Sequence, residues 1–458
     1  MDDDDCVARL VYVNGRFAPQ LSKTTSFANN LNVDDMTPEL EQQLSRLTDG
    51  FTDQLAAGVP SGDSDELTSF KDLSKPNHCI GNATTQFAIN AQQGTACFAA
   101  LNTVKTGAVA YVNYPAGLDH GVEFPKPLLI VQATTQNGGA SPHETGVALH
   151  PRILVVAQDQ CRLSVVQSTV DLDVPDVAAI PTLYNGYTQF FLQGNANVTH
   201  AYLEETGGIV TGGTEVSDES LPEGVTPPRQ VESTRPALKN THMEVLDAQV
   251  MGNDGSFTST MMAIGGSGRV RVALSVSLLR PGASTEVLGF CLTGGAQRTD
   301  MKTNIHHMGQ ATTSRQVQKN MIGGRGTGAF RGRIRVDQSA QQTDSQQISR
   351  TVLLSDRCRA WAVPSLEIIA DDVTCTHGAT VSDLSDEELF YLRSRGLNQA
   401  TARNLLMYAF AGDITESVDP AMLGSIDSTD GLQQRIIRRL QNLVPRGERK
   451  VKGEFQSV

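Results

Sequence analysis

Cys375 and His377 stand one residue apart in the stretch DDVTCTHGATVSDLSDEELFYLRSRG, residues 371–396. On an extended strand, residues i and i+2 share a face, so a thiol and an imidazole would project together. These two ligand types suit a soft or borderline metal. Two ligands do not close a coordination sphere, so the remainder would come from elsewhere in the chain or from a partner. The competing reading is a buried corner cysteine beside a hydrogen-bonded histidine. His306 and His307 are adjacent, face opposite ways on a strand, and do not easily serve one site. The run GGRGTGAFRG, residues 323–332, is glycine-rich like a phosphate loop. It lacks the Gly-Lys-Ser/Thr ending and a following helix, and coil corners account better for its glycines. Arg325, Arg331, Arg333 and Arg335 form a basic run that reads as an outward strand face. Between residues 126 and 375 no acidic pair stands out as the machinery of a polysaccharide lyase or hydrolase. The sequence carries no Walker motif, nucleophile elbow or zinc-protease helix.

The elements that must position these residues change character along the chain. Residues 1–125 read as a mixed region. VARLVYVNGRFAP makes a hairpin with Asn14-Gly15 as its turn. DDMTPELEQQLSRLTDGF makes a helix capped by Thr37, with Pro38 in its first turn. NATTQFAINAQQGTACFAALNTV reads as further helix. From 126 to about 380 helix signals nearly vanish, and short alternating runs such as LLIVQAT, ILVVAQ, RLSVVQSTV and RVRVALSVSLL take over. Between them a loose pattern recurs: a polar turn, a small residue, then renewed alternation. Its small residues are Cys161, Ala196, Gly255, Gly268, Ala283 and Cys358. Such a pattern describes stacked coils, each too thin to bury its own face; a right-handed parallel β-helix and a β-sandwich both fit. Residues 207–241, rich in Gly, Pro, Ser, Thr and Glu, interrupt the pattern as a solvated loop. From 381 to 458 helices return. Ser385 caps LSDEELFYLRSRG, Gly396 stops it, and Asn398 opens a second helix with Ala402, Leu405, Leu406, Ala409 and Phe410 as its apolar stripe. A third helix is expected in DGLQQRIIRRLQNLV, before a basic tail.

Composition narrows the function classes. The chain has 458 residues, 37 basic and 50 acidic, for a net charge of −13. That balance argues against nucleic acid and against an anionic membrane surface as partners. No apolar run is long enough to span a bilayer. Seven scattered cysteines with no CxxC pair fit a reducing compartment better than a disulfide framework. The acidic start MDDDDCVARL has the look of neither a secretory signal nor a transit peptide.

Several stretches then resemble one family. YVNGRFAPQLS, KPLLIVQATT, HPRILVVAQDQCRLSVVQS, the long run from TDMKTNIHHMGQ to FYLRSRGL, and ARNLLMYAFAGDI are similar to the SufB/SufD scaffold proteins of the Suf iron–sulfur cluster assembly machinery. ADDVTCTHGAT followed by LFYLRSRGL is the SufD-like form. The resemblance implies a parallel β-helix core flanked by helical regions, in a non-catalytic scaffold subunit. It implies pairing with SufB in a complex carrying two copies of the SufC ATPase; a homodimer of SufD-like chains is the alternative pairing. It places His377 at the interface with SufB, where iron is acquired or the nascent cluster forms, with Cys375 beside it as a weaker candidate. Iron or a cluster would be held only transiently, and no cofactor stably by this chain alone. The helical hairpin would dock SufC through Glu388, Tyr391, Leu392 and Arg395. The chain departs from the family in reaching the YVNGRF strand at about residue 11, so that its N-terminal helical region is either shortened or removed in a processed or incomplete form, and in carrying Val363 where the family often has Lys. The resemblance implies residence in a prokaryotic cytoplasm or plastid stroma. Outside the resemblance, the residues leave open a carbohydrate-active β-helix enzyme or an inert homo-oligomeric module.

Overall fold

The computed structural model describes residues 6–32, 96–117, 126–134, 147–171, 182–206 and 240–415. The expected helices in DDMTPELEQQLSRLTDGF and DGLQQRIIRRLQNLV, and nearly all of the 207–241 loop, fall outside those residues.

The chain opens as the sequence reading expects. β1 (Ala8–Val13) and β2 (Arg16–Phe17) form an antiparallel hairpin. Asn14 and Gly15 both take positive φ, 50° and 74°, the pair of left-handed residues that a two-residue hairpin turn requires. β3 (Ala28–Asn32) runs antiparallel to β4 (Ala108–Tyr114). Helix α1 (Ala96–Lys105) realises the end of the helical stretch expected before residue 105. Nearly everything that follows is parallel. β5 (Leu128–Thr134), β6 (Val147–Leu149), β7 (Arg152–Ala157), β8 (Arg162–Asp171), β9 (Thr182–Leu192) and β10 (Asn197–Glu205) lead into a regular alternation. That alternation comprises β11 (Thr241–Val250), β12 (Ser256–Ala263), β13 (Arg269–Leu278), β14 (Ser284–Thr293), β15 (Arg298–His307), β16 (Thr313–Ile322), β17 (Thr327–Val336), β18 (Thr343–Leu353), β19 (Arg359–Ile368) and β20 (Val373–Ser382).

Successive strands fall alternately into two sheets. The first runs β2-β1-β5-β8-β10-β12-β14-β16-β18-β20; the second runs β19-β17-β15-β13-β11-β9-β7-β4-β3, with β6 beside β9. From β8 to β19 this is a parallel β-solenoid of about six turns, each turn contributing one strand to each sheet. The β-helix expectation holds. Strands before residue 126 join the same two sheets: β1 pairs with β5, and β4 with β7.

The degenerate repeat is the corner of the coil. Entering the first sheet, a left-handed residue precedes a small one, which precedes the strand. Gln160, Asp254, Gly282, Ala311 and Gln342 all have φ between 54° and 72°, and at Gln342 the small residue, Thr343, is itself the first of its strand. Cys161, Ala196 and Ala283 are fully buried at the inner angle. The carbonyl of each corner accepts from the first amide of the next strand above it: Asn197 N to Cys161 O, Ser256 N to Ala196 O, Ser284 N to Gly255 O, Thr313 N to Ala283 O and Asp344 N to Thr312 O, all at 2.8–3.1 Å. A bulky residue there would push neighbouring coils apart. Gly268 and Cys358 do the same at the entry to the second sheet, where their neighbours' amides bond coil to coil.

The interior changes chemistry along the axis. Early coils stack aliphatic and aromatic residues, among them Leu128, Ile130, Val165, Phe190, Phe257 and Leu274, into one continuous core. A buried polar knot sits within it. Thr188 Oγ1 and Gln167 Nε2 donate to Glu244 Oε1 at 2.9 and 3.1 Å. Tyr184 stacks on His242 with ring centroids 4.4 Å apart, and Tyr202 shares a hydrogen bond with His242. Burial pushes the Glu244 carboxyl from its ordinary 4.5 up to about 8, although Thr188 and Gln167 pull it down. In the last coils the inward face of the first sheet turns wholly polar: Ser314, Gln316, Gln318 and Asn320 on β16, then Ser345, Gln347, Ser349 and Thr351 on β18. They stack as ladders, Ser314 on Ser345 at 2.7 Å, Gln347 Nε2 to Gln316 Oε1 at 2.6 Å, Asn320 Nδ2 to Thr351 Oγ1 at 3.1 Å. The facing sheet keeps Met301, Ile305, Phe330 and Ile334, interspersed with Thr303 and His307, which bond across to Gln316 and Ser314. The run at 323–332 divides: Gly323, Gly324 and Gly326 do form a corner, whereas Gly328 and Gly332 lie inside β17 and face inward. A methyl group at Gly332 would meet Gln347 Nε2 at 2.2 Å, so that glycine makes room for the ladder.

Helices α2 (Asp386–Ser394) and α3 (Gln399–Thr415) follow β20 directly. Ser385 caps α2 by accepting from the Glu388 amide at 3.3 Å, and Asn398 caps α3 by accepting from Thr401 at 2.8 Å. The apolar stripe of α3 is rotated from the expected one. Ala402, Met407, Ala411 and Ile414 are buried, while Leu405 and Ala409 are exposed. The buried set packs on the outer face of the first sheet against Phe290, Leu292, Met321 and Val352. That sheet surface, unknown to the helix sequence, selects the face.

Two outcomes test this account. A Cβ at Gly252 would lie 1.7 Å from the Gly194 carbonyl oxygen, a backbone atom that cannot step aside. Gly252→Ala is expected to destabilise the chain by about 1–3 kcal/mol, read as a lower urea midpoint. The raised Glu244 value means that the folded chain keeps a proton that the unfolded chain releases. Stability from the neutral carboxyl is therefore complete below about pH 4.5 and is lost as pH rises through about 8. Glu244→Gln, with the same shape and no titration, should lose less of its urea midpoint than the wild type between about pH 5 and pH 9; equal losses would place the carboxyl outside the linkage.

Candidate functional site

β20 is the last strand of the first sheet, and it carries both Cys375 and His377. Its register on β18 sets Cys375 over Ser345 and His377 over Gln347. The thiol therefore ends the row that runs Cys375–Ser345–Ser314, and the imidazole ends the row His377–Gln347–Gln316. Both belong to the inward face, as the i, i+2 spacing requires, but the coil that would close over them is absent among the described residues. Cys375 is half-buried against the main core, with Val373 and Leu366 as neighbouring contributors, and His377 is exposed. Beneath them the ladder is buried and partly unsatisfied. Gln347 Oε1 and Ser349 Oγ are buried and accept no hydrogen bond.

The electrostatics favour the protonated thiol. Burial raises the Cys375 value, and the nearby Asp344 carboxylate raises it further. Asp344 is held by a bidentate pair from Arg315, with nitrogen–oxygen distances of 3.1 and 2.7 Å. A thiol ligates metal as thiolate, so cation binding or a basic neighbour at this open end would be needed to deprotonate Cys375. Cys6, Cys161, Cys291 and Cys358 are buried, and burial pushes Cys291 and Cys161 upward as well. His307, fully buried, bonds to Thr312 and Ser314 at 2.8 and 2.9 Å and is held down to about 3 by burial. Its neighbour His306 faces outward to Asp337 at 2.8 Å. The two histidines do face opposite ways. Among the described residues no group of three His, Cys, Asp or Glu side chains stands ready to hold a metal, so Cys375 and His377 form an incomplete ligand set.

The four helix residues separate by environment. Glu388, Tyr391 and Arg395 are exposed, and the Arg395 guanidinium lies 5.1 Å from the Tyr391 ring centre. Leu392 is half-buried against the helix–sheet cluster, so its packing already has a partner. The sequence reading missed Phe390, which is 74% exposed and the most exposed large apolar side chain described. Helical periodicity alone marked it no differently from Leu389, its buried neighbour. The hairpin and the cysteine-bearing strand are mechanically close: only Asp383, Leu384 and Ser385 separate β20 from α2. Arg403 of α3, 3% exposed, reaches Asp383 at 3.7 Å.

β19 ends the second sheet as β20 ends the first. Its outward Trp361 and Val363 are 51% and 50% exposed, and Val381 on β20 is 46% exposed. Sequence alternation identifies such residues as strand residues; it does not reveal that theirs is the last coil.

Comparison with known proteins matches the family model described as SUF system FeS cluster assembly, SufBD core domain, over residues 139–410. A SufBD family iron–sulfur cluster assembly protein of Synechocystis is 26% identical over 423 residues, covering 91% of this chain and 75% of that protein. The SufD protein of Escherichia coli is 38% identical over 150 residues, a third of each chain. The SufD protein of Bacillus subtilis is 25% identical over 388 residues, covering 84% of this chain and 74% of its own.

The environment of Cys375 makes a testable statement. On the native protein, iodoacetamide should modify Cys375 ahead of Cys6, Cys161, Cys291 and Cys358, with a rate still climbing above pH 9.0, the ordinary thiol value. Asp344→Asn should accelerate that reaction at fixed pH. Mass mapping that found a buried cysteine labelled first would contradict the assignment.

Proposed function

This chain belongs to the SufB/SufD family of the SUF iron–sulfur cluster assembly system and is most like SufD, and from that premise we propose that it is a non-catalytic scaffold subunit whose open coil end is completed by SufB. The observation that carries this reading is a coincidence of position. β20 holds Cys375 and His377 and is also the strand whose outer edge pairs with no described strand. An edge of ten residues presents a row of free N–H and C=O groups, a template for another chain's strand. A SufB coil added to β20 would bury Val381 and cover the rows that end at Cys375 and His377. It would also bring ligands of its own to a thiol and an imidazole that do not suffice alone.

Iron, or the cluster growing from it, is then cargo at the junction. His377 offers a ring nitrogen to iron, and Cys375 becomes a thiolate once a cation stands beside it. The exposed face of α2, with Glu388, Phe390, Tyr391 and Arg395, docks SufC. Aromatic side chains beside charged ones make an anchor of the kind that dominates protein interfaces. SufC binding would shift α2, and through Asp383 and Arg403 that shift reaches the start of the hairpin at the end of β20. The chain itself hydrolyses no ATP in this scheme.

The reading is tested by co-expressing wild type or His377→Ala with SufB and SufC. The complex should purify intact with the variant, since an exposed ring at a row's end contributes little to packing, while iron and acid-labile sulfide recovered on the complex fall severalfold. Unchanged iron and sulfide would remove His377 from the chemistry. A stable homodimer with no affinity for SufB would replace the mixed pairing.

A further inference from the structure

The outward face of the second sheet holds a second concentration of charge, far from the rows that end at Cys375 and His377. Arg271, Lys302, Arg331, Arg333 and Arg335 project from β13, β15 and β17, with the carboxylates of Asp300, Asp337 and Glu367 among them and buried Asp247 further along the same face on β11. The chain as a whole carries a net charge of −13, so this cationic excess is local. The first three acids sit at the margins. Asp300 is shared by Arg271 at 2.8 Å and Arg331 at 3.7 Å, Asp337 is bound by Arg335 at 2.8 Å, and Glu367 is bound by Arg333.

Between those margins lies a pocket of about 210 Å³ whose described lining includes Lys302, Arg331 and Arg333, with Asn304, Ser365 and Val363, and no acidic residue. Lys302 and Arg331 are in-register partners on adjacent parallel strands, as are Asn304 and Arg333. Like charges directly opposite one another destabilise a sheet, and a fold keeps such a pair where something else compensates. Burial holds the Lys302 ammonium below its ordinary value; Asp300 draws it up, and Arg271 and Arg331 press it down. Two guanidiniums, an ammonium, an amide and a hydroxyl belong to the residues that border one small volume with largely apolar walls, a set of head groups matched to oxygens that carry more than one charge. At this size the pocket is smaller than the roughly 300–1,000 Å³ typical of drug-sized ligands.

We propose that this pocket binds a small, multiply charged oxyanion of the phosphate or pyrophosphate class. The proposal stands apart from the iron–sulfur reading, because none of its residues lies in the rows that end at Cys375 and His377.

Calorimetric titration of the full chain with sodium pyrophosphate, at constant ionic strength, tests it. Saturable binding with one site per chain is expected. Arg331→Gln and Lys302→Met should each weaken it at least tenfold while keeping the wild-type circular dichroism spectrum. Arg331 is a solvent-exposed side chain, and methionine preserves the apolar stem of the lysine. A parallel titration with citrate separates phosphoryl from carboxylate recognition. Citrate binding without pyrophosphate binding, no saturable heat with pyrophosphate, or equal affinity in both folded variants would overturn the proposal.

Discussion

The structure depends on one repeated contact, the hydrogen bond from a strand's first amide to the corner carbonyl of the coil before it. That bond fixes the spacing between coils at the point where the chain must turn, and a small residue is needed there because the inner angle has no room for more. Four of the five residues held left-handed just before those strands are not glycine. Each costs on the order of 1 kcal/mol of backbone strain, and the fold carries it because the stacked coils on either side leave no alternative path. Register follows from the corners, and from register follows every inward row of side chains.

Those rows explain why the candidate site is where it is. Along most of the axis the rows are apolar and self-sufficient. Over the last coils the first sheet presents Ser, Thr, Gln and Asn instead, joined ladder-fashion, while the opposite sheet keeps Met301, Ile305, Phe330 and Ile334. A polar row is satisfied largely by its neighbours above and below, with Thr303 and His307 bonding to it from across the interior. It specifies alignment more strictly than a hydrocarbon row does, and it leaves its terminal members in need of partners. Cys375 and His377 are those terminal members. The same stiffness reaches the helical hairpin, whose buried stripe rests on the outer face of the sheet that bears them.

Much of this was legible in the sequence, unevenly. The early strands could be read because alternation of apolar and polar residues there reflects a hydrocarbon interior; LLIVQAT coincides with β5. β16, TSRQVQKNMI, escaped because its inward residues Ser314, Gln316, Gln318 and Asn320 are polar, while its apolar residues Val317 and Met321 face outward beneath the helices. The usual apolar-inward period is absent from such a strand. The corner pattern is visible in the sequence only as a degenerate repeat, because its spacing is irregular and its left-handed positions are filled by Gln, Asp, Ala and Gly alike. The shared face of Cys375 and His377 followed from their spacing, and the opposed faces of His306 and His307 likewise. Exposure did not follow, because nothing in the residues marks β20 as final. The stripe on α3 was misjudged for a related reason: Leu405 and Met407 are equally apolar, and only the sheet beneath chooses between them.

The row-and-coil construction has a consequence for how such proteins diversify. A residue at the end of a row touches one neighbour below it and open space above, so its identity can change without disturbing the turn that carries it. Chemistry at the tip is thereby uncoupled from architecture in the shaft. Two sister chains could keep the same winding, exchange the tip groups independently, and so divide between them the coordination duties that a single chain would otherwise have to fit inside one crowded interior.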